Sequence, residues 1–547
     1  GGEGGEEEPS GEEVGIAATL FGAVSFVILI SWFTNHDDPD MRQYTFNTIS
    51  TTISIFCAVL LFGGINDVVT ESENLCCNVD TTDVAGTVAA FAQLLVWGVC
   101  LQVVVAIACG IPCGMRRSLS IHAVKSRVES GAVFVGHLTG FASINAFALL
   151  QQKTFFNWHW FCSFLVVPLA YGVLLGWGNL ADRVRDYVAY GDDDTKDEFE
   201  ARWDEATGET EDDILGLTCS FLAAQSIRFM VSGRLPDAEG NAKPFSQSTG
   251  EAFSLFVIGI FSVLFVYLLG YKWVPYGEMH KVRKVLIGDS EMTVEQQRSD
   301  ENTTERCTRR RTRIINLCSM TFGWLFFFGS KMVVEVFFKH VLGSEDVVMC
   351  EVVSALLVTV AGFLAIWTLD KIRDFVDNAE GAFGRKTRRG CLAIIDGIGV
   401  LIGVAWEKCF DEASESIFEG YPNVQGSVGK FGLALISVVL LLPAWKKFII
   451  PMKLHDNWRF KAVVNKTLLQ KLQDHEDFGN AIDRNKLEEI ESEDVDSDSE
   501  LESEEDNDAD TLDKRDLKQS IKTLKQDLKT TLLEHRENER LRRGTIV

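Results

Sequence analysis

The chain has 547 residues, 46% of them hydrophobic, and a formal net charge of -26 at pH 7. Apolar residues gathered into runs of about twenty exclude a string of ordinary soluble domains, and the acidic balance excludes a nucleic-acid-binding surface. The charge itself is local: residues 1 to 13 contribute -6 and residues 474 to 510 contribute -16, so 22 of the 26 negative charges lie outside the apolar body. The expected fold is therefore all-α, a polytopic transmembrane helix bundle of about 11 spans, with the lipid bilayer as its first partner.

Residues 1–13 form an acidic segment ahead of the first span, and no secretory signal is read there because the leading charges are acidic rather than basic. Residues 14–112 hold three predicted spans, at 14–33, 45–66 and 84–111. Within the second, Tyr44 to Phe62, with the core Thr-Ile-Ser-Ile-Phe-Cys-Ala-Val-Leu-Leu-Phe, resembles a segment shared by uncharacterised multi-pass membrane proteins of unicellular algae. That resemblance implies a membrane-spanning helix and lends no activity and no site residues. Gln93 and Gln102 in the third span are expected to hydrogen-bond between helices. Most of the 13 cysteines fall inside apolar runs as small hydrophobes, and their spacing matches no metal site. Cys76 and Cys77 sit in a loop, either disulfide-bonded or as free thiols.

Residues 130–275 hold four spans, at 130–150, 155–178, 214–231 and 252–271. His137 and Asn145 share a face of the first of these, and His159 reads as part of an interfacial aromatic belt. The second span runs into Asp182-Arg183-Val184-Arg185-Asp186-Tyr187-Val188, an amphipathic exit with its charges expected at the headgroup level. The mostly acidic stretch 182–213 reads as a solvated loop. The span at 214–231 is the weakest, since it contains Gln225 and Arg228.

Residues 276–313 read as a basic cytoplasmic loop ending in Arg306-x-x-Arg309-Arg310-Arg311-x-Arg313, a topology anchor. Residues 314–451 hold four more spans, at 314–338, 347–369, 391–408 and 430–450. Ionisable groups inside spans mark interior or water-lined positions. Arg228, Lys331, Glu335, Glu351 and Glu407 are expected at one outward-facing level, and two readings follow: a substrate or ion vestibule, or structural ion pairs closed on one another. Asp396, in the glycine-rich run Asp396-Gly397-Ile398-Gly399-Val400-Leu401-Ile402-Gly403, marks either close helix contact or a carboxylate that binds a proton or cation.

Beyond the spans, 452–473 reads as an amphipathic juxtamembrane helix, 474–510 as an acidic disordered linker, and 511–547 as a short coiled-coil-like helix and tail. Asp494, Asp496, Asp498, Glu500, Glu502 and Glu505 match calcium-loop spacing, but Ser499 stands where the sharp turn requires glycine. Thr545 and Val547 fit the carboxyl terminus that PDZ-type domains accept. A coiled-coil or PDZ-type partner, or an oligomer, is the expectation for this region.

The charged exit recurs as Asp370-Lys371-Ile372-Arg373-Asp374-Phe375-Val376. Upstream of the two exits, Gly136-x-Leu138-x-x-Phe141-Ala142-Ser143 matches Gly323-x-Leu325-x-x-Phe328-Gly329-Ser330. The parse is a parallel four-helix repeat in a 3+4+4 arrangement, which predicts one further span upstream of Gly1. Alternate loops carry 25 Lys and Arg on one side against 4 on the other, which places the start of this chain outside or lumenal and the tail in the cytoplasm. No nucleotide-binding loop, zinc-protease motif, nucleophile elbow or potassium filter occurs, and no cofactor is expected. The leading functional expectation is a solute or ion transporter or channel-like protein with a regulatory acidic tail. A membrane scaffold working through its C-terminal helix is the alternative. A membrane transferase, with His137 and Asn145 as its polar pair, is the third; catalysis is the less expected outcome.

Overall fold

A computed structural model of the chain describes residues 11–77, 84–111, 121–190, 197–272, 294–343, 346–377, 382–418, 421 and 423–453, and among these no strand occurs. The chain divides into two units, one formed by Gly1–Val274 with Arg310–Asp456 and the other by Pro275–Arg309 with Asn457–Val547. In the second unit the described residues are 294–309, which are helical. The calcium-like run Asp494–Glu505, the heptad helix and Thr545 to Val547 lie outside the described residues.

The helices of the first unit begin with α1 (Gly11–Thr34), α2 (Pro39–Cys77), α3 (Val84–Ala108) and α4 (Ile121–Gln151). Two short turns follow, α5 (Thr154–Asn157) and α6 (Trp160–Phe164), then α7 (Val166–Ala189), α8 (Glu198–Ser232) and α9 (Thr249–Lys272). The last four are α10 (Val294–Phe337), which belongs to this unit from Arg310 onward, α11 (Val347–Asp377), α12 (Ala382–Phe418) and α13 (Asn423–Ala444). Pro443 near the end of α13 withdraws a backbone donor, and the chain passes into a π-helical turn at Trp445–Ile449. Nine helices among the described residues are long and apolar enough to cross a membrane. The two remaining predicted spans fall on α1 and α9, whose apolar stretches Thr19–Thr34 and Thr249–Phe265 are shorter.

Two local expectations are corrected. The stretch 182–213 is not one solvated loop: α7 continues to Ala189 and α8 starts at Glu198, with Glu200, Trp203 and Thr207 buried. The cause is a reciprocal cap, in which the Asp197 carboxylate accepts from the Glu200 amide at 2.8 Å while the Asp197 amide donates to the Glu200 carboxylate at 3.0 Å. The basic cluster Arg306 to Arg313 is helical, because α10 begins at Val294. His159, expected in an interfacial aromatic belt, is exposed between Trp158 and Trp160 and also serves as the N-cap of α6, accepting from the Phe161 amide at 3.2 Å.

Burial separates central from peripheral helices. The apolar window is 83% buried in α8, 67% in α12 and 61% in α2, α4 and α10, against 33% in α3, 28% in α7 and 22% in α13. Peripheral faces carry exposed Leu95, Val96, Val99 and Val103 on α3, and Val439 and Leu440 on α13, as a lipid-facing surface requires. Lipid supplies no hydrophobic drive for helix association, so close backbone approach and polar ties must hold the centre together. A Cβ on Gly136 of α4 would stand 2.4 Å from Thr210 Cγ2 of α8, and one on Gly323 of α10 would stand 3.2 Å from the Gly397 carbonyl of α12. A Cβ on Gly403 of α12 would meet Thr52 Cα of α2 at 3.2 Å. Gly136 and Gly323 are the glycines paired by the sequence match, and both sit at the contact with the helix two spans further along.

Candidate functional site

The repeated exit motif does not leave both its arginines at the membrane surface. Arg185 is 1% exposed and Arg373 3%, because each finds enough carboxylate within the bundle to offset desolvation. Arg185 donates from Nε to Asp204 at 3.0 Å and from Nη1 to Glu211 and to Gln102, each at 3.0 Å, while Nη2 binds Asp182. This ties α7 to α8 and α3. Gln102 also donates to Glu211 at 2.7 Å, so its expected interhelical role is met. Gln93 leaves its buried Oε1 without a hydrogen bond. Arg373 pairs with Asp370 at 3.1 Å and donates to Asp40 and to the Tyr44 hydroxyl, tying α11 to α2. Nearby Asp38, in the connection before α2, is pushed up by burial but pulled down more strongly by the Lys371 ammonium at 3.2 Å and the Asp40 amide, which hold it below the usual carboxylate range.

These contacts, with Arg313 to Asp212 at 2.6 Å and Lys453 to Glu129 at 2.7 Å, gather at one end of the bundle the helix ends that the basic-loop alternation assigns to one side. The residues 214–231 therefore run from that end, beside Asp212, to the opposite one.

At the opposite end Arg228, 3% exposed, donates from Nη1 to the Gly240 carbonyl at 2.7 Å and lies 3.7 Å from the centre of the Phe328 ring. Glu335 accepts from the Phe245 amide at 2.9 Å, and Lys339 donates to the Phe245 carbonyl at 2.9 Å. Phe245 is the one non-glycine residue with positive φ among those described, at 55°, and these two side chains hold it there. Lys331 pairs with Glu351. Four of the expected path residues thus hold a connecting segment or close on one another. Glu407, 2% exposed, lies beside Lys408 in electrostatic reach of Glu351, Glu239 and Asp411.

The remaining polar groups line the facing sides of α2, α4, α8 and α12. Asp213 and Asp396 are exposed although their helical neighbours Ile214, Leu215, Ile394, Ile395 and Ile398 are buried, so each carboxylate opens onto a space that protein does not fill. Both lie in electrostatic reach of Lys453, as does His137. His137 Nδ1 and Ser54 Oγ are 2.7 Å apart, and Asn145 donates to Asn66 at 3.4 Å. His137 and Asn145 thus each engage α2 and make no pair with one another. Asn66 precedes Asp67, which meets Lys430 at 3.9 Å. On α12, Asp396, Gly399, Gly403 and Glu407 follow helical spacing along one face, and Gly399 and Gly403 press that face against Thr48 and Thr52 of α2. Asp396 and Glu407 are separated by roughly 17 Å along the helix. The result is a polar column with charged groups at both ends and a narrow glycine seam between them.

An apolar cavity of about 140 Å³ lies apart from this column, with Phe91, Leu101, Thr139, Val173, Trp177 and Glu211 in its wall. Its carboxylate, Glu211, is already engaged by Arg185 and Gln102. Asp213, Lys453, Ser54 and Asn66 were missed by sequence reasoning; the Asp197-x-x-Glu200 capping box was the signal that would have placed Asp213 inside a helix.

Nine long apolar helices among the described residues, with exposed apolar flanks, mark a multi-pass integral membrane protein. No protein-family model, no curated protein and no solved structure matches the chain. The functional reading therefore rests on the site itself.

Proposed function

We propose that the protein is a transporter or channel-like protein that passes a cation, or a solute coupled to one, along the column between α2, α4, α8 and α12. The observation that carries this reading is the pair Asp213 and Asp396, two exposed carboxylates set among buried neighbours on central helices and sharing Lys453. An ionisable group at such a position is expensive and is kept where it meets a permeating or coupling species. Acidic groups outnumber basic ones at both ends of the column, which favours cations. The Lys453 end is assigned to the cytoplasm, with the start of this chain outside, on the bias of 25 basic residues to 4. The helices α4 to α9 and α10 to α13 are read as two copies of one four-helix design. The matched glycines, the matched arginines and the deeper burial of α8 and α12, the third helix of each copy, support that reading.

Site-resolved labelling of introduced cysteines by a membrane-impermeant thiol reagent, read by mass spectrometry, tests the column. Asp396→Cys should react from the Lys453 side and Glu407→Cys from the other, with Gly403→Cys protected from both. Protection of Asp396→Cys from both sides, or reaction of Asp396→Cys and Glu407→Cys from the same side, would remove the column as a path.

A further inference from the structure

The apolar cavity of about 140 Å³ that stands apart from the polar column lies between α3, α4, α7 and α8. Its outer rim is made by Leu95 of α3 and Val173 of α7, both exposed, and its inner wall by Leu101, Thr139 and Ile214, all buried. Leu95 shares a helix face with exposed Val88 and Val99, and Val173 shares one with exposed Leu169 and Leu180. These are the apolar flanks that face lipid, so the mouth opens sideways onto the membrane. Leu94, Leu95, Thr139 and Leu174 also sit near the middle of their spans, Val84–Ala108, Val124–Gln151 and Trp160–Ala189. The hydrocarbon core of a bilayer is about 30 Å thick, so the rim stands roughly 15 Å from either headgroup layer, where lipid chains and no headgroups are found.

The chemistry of the wall agrees with that depth. The Thr139 hydroxyl is satisfied by the Val135 carbonyl at 2.8 Å and the Trp97 carbonyl at 3.2 Å, and Glu211 accepts from Arg185 and Gln102. A buried water takes about two to four polar partners, and these groups are already engaged. Apolar cavities of about 150 Å³ stay dry and accept a benzene-sized hydrocarbon. A void left among close-packed side chains is destabilising, and hydrocarbon is the filling that the medium at the rim supplies. Gly98 shapes the interior: a Cβ there would stand 3.1 Å from the Trp177 ring, so the glycine leaves room for the indole in the wall.

We propose that this cavity is a binding site for the end of one acyl chain of a bilayer lipid, which enters sideways between Leu95 and Val173 and lies against Trp177. The headgroup stays in its own leaflet. The site is separate from the column and stands whether or not the column carries a cation.

Photolabelling of the full chain in phosphatidylcholine vesicles tests this, with part of the lipid carrying a diazirine near the end of one chain and the labelled residues read by mass spectrometry. Lipid that merely surrounds the protein labels exposed residues, so label on buried Leu101, Thr139 or Ile214 reports entry. That label is expected in the unaltered chain. It should be largely lost in Val173→Trp, which fills the rim, and should persist in Leu169→Trp, one turn away on the same face. Leu95→Trp, on the opposite side of the rim, takes the place of Val173→Trp should that variant fail to fold. Label confined to exposed residues, or label on the buried wall that Val173→Trp leaves unchanged, overturns the proposal. Label on that wall from a small diazirine hydrocarbon but not from the phospholipid overturns the choice of a lipid chain.

Discussion

Arg185→Met is expected to destabilise the protein by roughly 3 kcal/mol, the lower end of the range for breaking a buried ion pair by removing one partner. The side chain is 1% exposed and satisfies four groups on three helices. Without it Glu211, 11% exposed, keeps only Gln102, whereas Asp182 and Asp204, each 34% exposed, recover part of their hydration. That recovery is why the low end applies. Arg185→Lys should restore less than half of the loss, because an ammonium cannot reproduce the planar fork that reaches Asp204, Glu211 and Gln102 together. Adding Glu211→Gln to Arg185→Met should recover stability, since it removes the stranded charge. Thermal unfolding of the detergent-purified protein measures the series against Arg183→Met, an exposed control expected to shift stability by about 0.5 kcal/mol or less. Equal midpoints for the Arg183 and Arg185 variants would show that the buried network holds nothing.

The second large effect is expected at Lys331 and Glu351. Glu351 is 2% exposed, Lys331 is its ion-pair partner, and its Oε2 already lacks a hydrogen bond. Lys331→Met should therefore cost about 3–5 kcal/mol, and the double variant Lys331→Met with Glu351→Leu should recover most of it, because two apolar groups strand no charge. The same pair separates the two readings open at the level of sequence. A structural pair predicts that the double variant still transports; a pair that binds the solute predicts a stable protein without transport.

Long apolar helices and glycine contacts were legible because they are written in periodicity and in small residues. Gly397 and Gly403 lie where their glycine-rich run places them, in close contact with neighbouring helices. Helix ends were not legible where charge interrupts the apolar run. Asp213 and Lys453 fall just past windows that close on hydropathy, although the backbone stays helical through both. The exit motif could be recognised as a repeat, but its arginines were assigned to the headgroups. Their burial depends on Asp204, Glu211, Gln102, Asp40 and Tyr44, which only the tertiary fold brings near. Arg228 shows the same limit in another form, since its partner is a backbone carbonyl, at Gly240, that no side-chain pattern announces. Depth in the membrane was a fair guide to which residues are interior. It could not separate the charges that close on protein, Lys331 with Glu351, from Asp396, which stays exposed.

Cation flux into vesicles reconstituted with the full chain tests the central claim most directly, using proton, sodium, potassium and ammonium gradients read by stopped-flow dyes. The column predicts that at least one of these enters faster than in protein-free vesicles. It also predicts that Asp396→Asn slows that flux by about tenfold or more, while Glu251→Gln, outside the column, leaves it unchanged. Flux equal in the Asp396→Asn and unaltered proteins, or no flux above empty vesicles for any of the four cations, would contradict it.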